Sequence, residues 1–212
     1  MKKNIGVQMN NIDQIFTNSI NIQTFSKSYF EYLGSVLSQI NVVDIGRFVD
    51  ALMSAREKKS SIYFIGNGGS AATASHFAND IAIGTKSINN PFRAISLCDN
   101  QAVITAIAND YGYKYIFSKQ LDVLLNKDDL VVAISASGNS PNLIHAIDSA
   151  KQKGAITIGL TAFDGGKLSQ EADITVHVPT IKGEYGPSED AHMVLDHLVS
   201  SYLINFVKDE IK

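Results

Sequence analysis

Apolar positions along this chain change their period near residue 60. Upstream, Phe25, Tyr29, Tyr32, Leu33, Val36, Leu37 and Ile40 recur every three or four residues. Val42, Ile45, Phe48, Val49, Leu52 and Met53 repeat the pattern after Asn41, with Asp44 a candidate cap. This spacing predicts two amphipathic helices between Asn11 and Lys59. Their apolar surface must be covered by the parent domain or by a second subunit. Residues 1–10 show no period and are expected to fray.

From Ser61 onward, short apolar runs alternate with helical segments. Strands are predicted at Ser61–Ile65, Arg93–Leu97, Asp129–Ser135, Ala155–Thr161 and Asp173–Val178. Helices are predicted at Ala71–Ile83, Ala102–Asn109, Lys114–Leu125, Pro141–Lys153, Lys167–Glu171 and Glu189–Val207. The runs Leu130-Val131-Val132-Ala133-Ile134 and Ile156-Thr157-Ile158-Gly159-Leu160 read as strands buried on both faces. The alternation predicts an α/β fold, a three-layer sandwich around a five-stranded parallel sheet, preceded by N-terminal helices. Ligand sites then belong at the carboxyl ends of the strands. Residues 60–212 read as one structural unit and residues 1–59 as a helical segment ahead of it.

Composition narrows the function classes. With 45% hydrophobic and 18% charged residues the chain is of ordinary globular type. A net charge of −3 and the lack of a dense basic run argue against gripping nucleic acid. The lone cysteine, Cys98, excludes an intrachain disulfide framework and suits a reducing cytoplasm. Met1-Lys2-Lys3-Asn4 is followed by polar residues, so no secretory signal is expected. No apolar run reaches the roughly 18 residues of a membrane span.

Three segments carry candidate chemistry. Gly66-Asn67-Gly68-Gly69-Ser70 lies between a strand and a helix, where free N–H groups and the helix dipole favour an anion. His76 and Asp80 stand four residues apart on the same helix face. Ser135-Ala136-Ser137-Gly138-Asn139-Ser140-Pro141 is a second strand-end loop, with Ser140 expected to cap and Pro141 suited to a first turn. Of the two loops it is the better phosphate site. Gly186-Pro187-Ser188 announces the last helix, on which Glu189 and His197 lie about 12 Å apart along the axis. His192 and Asp196 form another four-spaced pair there, for which a solvated helix face is the favoured reading. His145, His177 and Cys98 are expected to be structural.

These motifs, together with Asn109-Asp110-Tyr111-Gly112-Tyr113, resemble the sugar isomerase (SIS) domain family over about residues 25 to 208. Within it the chain is most similar to phosphoheptose isomerases, which convert sedoheptulose 7-phosphate to glycero-manno-heptose 7-phosphate. The resemblance implies a flavodoxin-like domain in a homotetramer, with the N-terminal segment packing in the oligomer and active sites shared between subunits. It also implies a serine loop that holds the sugar phosphate, and zinc in many members. By position, Ser135, Ser137 and Ser140 match phosphate-binding serines, Asn67, Gly68 and Ser70 a substrate-holding turn, and Asp99 an acidic active-site residue. His76, Asp80, Glu189 and His197 match metal and acid/base positions, with Asp80, Glu189 and His197 the catalytic candidates. Asp80 replaces the family's usual Glu, Glu189 its usual Gln and Ala136 its usual Thr. Two other outcomes stay open: a non-catalytic SIS regulator that binds a replication-initiator protein or senses a sugar phosphate, and an isomerase for a different phosphosugar. Sensors usually carry a helix-turn-helix extension, which is not expected here ahead of the two predicted helices. Retention of His76, Asp80, Glu189 and His197 favours the enzyme.

Overall fold

The computed structural model describes residues 9–87 and 89–210. Three helices, one more than expected, precede the sheet: α1 (Asn11–Asn18), α2 (Ile22–Ser38) and α3 (Val42–Glu57). The unforeseen helix α1 buries no residue, although Ile12, Ile15 and Phe16 give it a short apolar stripe. Asn10, expected to fray, is its N-cap and accepts from Asp13 N at 2.9 Å. Met9 O accepts from Gln14 Nε2 at 3.1 Å, and residues 1–8 of the expected frayed stretch lie outside the described residues.

Five strands follow: β1 (Ser61–Gly66), β2 (Arg93–Ser96), β3 (Leu130–Ser135), β4 (Ile156–Thr161) and β5 (Ile174–His177). They form one parallel sheet in the order β2-β1-β3-β4-β5. Between them run α4 (Gly69–Asn79), α5 (Gln101–Asp110), α6 (Ser118–Leu124), α7 (Pro141–Gln152) and α8 (Gly166–Glu171), and α9 (Tyr185–Glu210) closes the chain. Asp80–Gly84 prolongs α4 as a turn of π-helix.

Alternation along the strands builds the two cores. On β1, Ile62 and Phe64 face the side covered by α3, α4 and α9, while Tyr63 and Ile65 face α6 and α7. On β3, Leu130, Val132 and Ile134 take the first side and Val131 and Ala133 the second. Phe77 of α4 packs between Phe48 of α3 and Phe64 of β1, with ring centroids 5.7 and 4.9 Å away. Thus α3 belongs to the same core as the sheet. The strand order reverses between β1 and β3, so the loops leaving their carboxyl ends diverge and open a crevice.

Candidate active site

Two loops and one helix meet at that crevice. Gly68 takes φ 54° and ψ −123°, a conformation glycine adopts without steric cost, and α4 starts at the next residue. Asn67 then faces Asn142 of α7 in a reciprocal amide pair, Nδ2 of each donating to Oδ1 of the other at 2.9 and 2.8 Å. The Tyr113 hydroxyl also donates to Asn67 Oδ1, at 2.9 Å. The β1 and β3 loops are thereby fastened together.

A cavity of about 170 Å³ opens between them. Asn67 and Ser70 line one side, Ser135, Ala136, Ser137 and Ser140 another, and Tyr185 and Glu189 of α9 a third. Ser140 is the N-cap of α7 and Pro141 its first residue, but the Ser140 side chain makes no capping hydrogen bond, contrary to expectation. Its hydroxyl therefore remains available to a ligand at a helix N-terminus, where an anion is favoured. The last helix begins at Tyr185, four residues before the expected start, because Gly186, Pro187 and Ser188 are accommodated within its first turn. At Gly69 the close neighbour is Glu189: a Cβ there would stand 2.3 Å from Glu189 Oε2. The glycine admits that carboxylate to the mouth of the cavity.

A second group lies where α4 and α9 face each other. His76, Asp80, Asp196 and His197 each offer one ligand atom, and these atoms all lie within 4.8 Å of one another. His76 Nε2 is 3.4 Å from Asp80 Oδ2 and 3.4 Å from His197 Nε2. Zinc bonds of about 2.0–2.1 Å to nitrogen and oxygen give tetrahedral edges of about 3.3 Å, so both separations suit one ion. Glu189 does not join this group.

Asp196 was expected on a solvated face, as was His192; both are buried. On α9 the buried polar residues Ser188, His192, Asp196 and Ser200 recur every four positions, beside the apolar stripe Ala191, Leu195, Val199 and Leu203. That second stripe was the signal for Asp196. Burial, then the charge of Asp80, pushes its pKa up to about 7. Burial pushes His192 down to about 4, and its Nε2 lies 3.3 Å from Thr161 O. A divalent cation fits the group, because two carboxylates and two imidazoles would neutralise it and the carboxylate of Asp196 has no protein donor.

The other singled-out residues lie apart. Asp99 accepts from Ser75 of α4 and does not line the cavity. His177 Nδ1 meets Thr161 Oγ1 at 3.0 Å, and His145 packs on the Tyr115 ring. Burial raises the Cys98 thiol pKa. Motif reading gave no site role to Tyr113, Asn142 and Tyr185 and placed Asp196 on a solvated face.

Among known proteins, a family model described as SIS domain matches residues 28–162. A phosphoheptose isomerase of Cytophaga hutchinsonii is 38% identical over 153 residues, 72% of this chain and 79% of that protein. A probable phosphoheptose isomerase of Thermoplasma acidophilum is 36% identical over 178 residues, 84% of this chain and 97% of that protein. The structure of a phosphoheptose isomerase from Francisella tularensis superposes with a TM-score of 0.81 at 28% identity, covering 88% of this chain and all of that one, at 100%.

Proposed function

The chain belongs to the SIS domain family, and from that premise we propose that it is an aldose–ketose isomerase interconverting sedoheptulose 7-phosphate and D-glycero-D-manno-heptose 7-phosphate. The observation that carries this reading is the placement of the serine loop and Glu189 on one cavity. The cavity offers the hydroxyls of the serine loop to a phosphate and the carboxylate of Glu189 to a carbon acid.

In this mechanism Ser135, Ser137 and Ser140 bind the phosphate, and Asn67, Gly68 and Ser70 position the sugar chain. Glu189 takes a proton from C1 of the ketose and returns it to C2, through an enediol. His197 can exchange the protons of the neighbouring hydroxyl and carbonyl oxygens only while its imidazole holds no metal. Zinc, held by His76, Asp80, His197 and a carboxylate of the last helix, would supply a Lewis acid for the substrate carbonyl. Asp80, placed between His76 and the last helix, is then a ligand and not the base.

The enzyme is a homotetramer of the cytoplasm in this reading. Support comes from Phe16, Ile20, Phe30 and Val42, apolar residues of the N-terminal helices and their connection that stand exposed in the isolated chain. No helix among the described residues is long and apolar enough to cross a membrane. Incubation with sedoheptulose 7-phosphate and related ketose phosphates, with and without zinc, tests the activity. Aldose from the heptulose is expected; no aldose from any ketose would sink the enzyme reading, and aldose from another ketose alone would change the substrate.

A further inference from the structure

We propose that Asp196 is the fourth protein ligand of a divalent-metal site with His76, Asp80 and His197, and that Glu189 stays off the metal. Three observations carry it. First, the candidate ligand atoms of these four residues already lie within 4.8 Å of one another, without Glu189. Second, Glu189 has another place: its carboxylate rests against Gly69 and lines the cavity with the serines. Third, Asp196 is fully buried, and neither of its carboxylate oxygens has a hydrogen-bond partner.

The neighbours of Asp196 on α9 sharpen the third observation. Ser188 Oγ bonds Thr180 Oγ1 at 2.7 Å, His192 Nε2 meets a backbone carbonyl, and Ser200 Oγ donates to the Asp196 carbonyl at 2.8 Å. Each of these side chains has at least one protein partner, with His192 Nδ1 left over, whereas neither oxygen of the Asp196 carboxylate has one. A buried carboxylate facing two imidazoles and a second carboxylate is satisfied by a cation between them. Sequence spacing supplies the means. His197 follows Asp196 directly, so their side chains project from α9 about 100° apart and reach the His76 and Asp80 face of α4 from two directions.

This inference deepens the proposed function by naming the metal ligands, and it stands or falls on metal binding instead of turnover. The full-length protein, stripped with a chelator, is titrated with zinc and, separately, with cobalt(II), while circular dichroism monitors folding. Wild type and Glu189→Gln are expected to bind one ion per chain with similar affinity. Asp196→Asn, nearly isosteric, is expected to bind zinc about a hundredfold or more weakly, since loss of even an outer-shell partner costs ten- to a hundredfold. In Asp196→Cys the cobalt form should gain a thiolate-to-cobalt charge-transfer band, a signature that only direct ligation produces. Unchanged zinc affinity in Asp196→Asn, loss of affinity in Glu189→Gln, or folded Asp196→Cys protein without the band would each overturn the proposal. So would a wild-type chain that binds neither ion. Metal binding as expected with no aldose product from any ketose phosphate would overturn the proposed reaction and leave the ligand set in place.

Discussion

The hydroxyl of Tyr32, on α2, donates to the buried carboxylate of Glu184, the residue immediately before α9. Glu184 also accepts from Asn11 N at 2.7 Å and Ile181 N at 3.0 Å. The start of the helix that bears Glu189 is therefore fixed to the N-terminal helices. Tyr29, one turn earlier on α2, adds a bond to Asp190.

Tyr32→Phe removes one donor from a carboxylate that remains buried. A loss of about 2 kcal/mol is expected, the usual worth of a hydrogen bond to a charged group. Urea denaturation of the variant beside wild type measures it; an unchanged midpoint would show that Asn11 and Ile181 suffice.

Glu189→Gln and His197→Asn should each lower turnover about a hundredfold or more while leaving the fold intact. Gly69→Ala should approach the same loss without touching a polar group, because the new methyl occupies the space of the Glu189 carboxylate. Its cost in stability should stay within about 1 kcal/mol, as the displaced group is the end of a flexible side chain and alanine suits a first helical turn. Steady-state kinetics with wild-type turnover in Gly69→Ala would detach Glu189 from the chemistry.

Ser137→Ala and Ser140→Ala should raise KM for the phosphosugar about tenfold with a smaller change in kcat, since each removes one hydroxyl from a dianion. Inorganic phosphate, as a competitive inhibitor, should weaken in parallel. An effect on kcat alone would place these serines at the reacting carbons instead.

The acid limb of stability should report His192. Its folded form resists protonation until about pH 4, whereas an exposed histidine takes up its proton near 6.5. The unfolded chain binds more protons between those values, so stability present above about 6.5 is lost as pH falls, by about 3 kcal/mol at pH 4. Asp196 acts oppositely: its folded form binds a proton near pH 7 and its unfolded form near 3.8, so its contribution grows on acidification and is lost above pH 7. The difference between wild type and His192→Gln in urea melts across pH 4–8 isolates the histidine. Parallel pH profiles would mean that His192 titrates alike in both states.

The sheet was legible because its signals are local. The continuous run Leu130–Ile134 and the runs at 61 and 156 specify strands by composition alone, and each observed boundary falls within a residue of the expected one. Helix α1 was missed because its stripe, Ile12, Ile15 and Phe16, fills only eight residues, too short a window for a helical period to stand out. The π turn at Asp80 escaped for a different reason, since an extra residue in a helix is set by packing against its neighbours. Of the residues that line the cavity, those on the strand-end loops carried a signal, as glycine and serine spacing encodes a backbone shape. Asp196 was not recognised, because a carboxylate among charged residues reads as solvent-facing until α9 is laid on α4. Tyr113 and Asn142 act through partners 46 and 75 residues away, a relationship no motif contains.

The reciprocal pairing of Asn67 with Asn142 has one more consequence. Both amides are neutral, and so is the Tyr113 hydroxyl that supports them, so the clasp itself carries no charge for acid or salt to screen. The two loops are preorganised: their ordering entropy is spent during folding and not when a phosphate arrives. Affinity at this mouth is then governed by what the ligand gives up in leaving water, and it should be read in the ligand's desolvation more than in any movement of the protein.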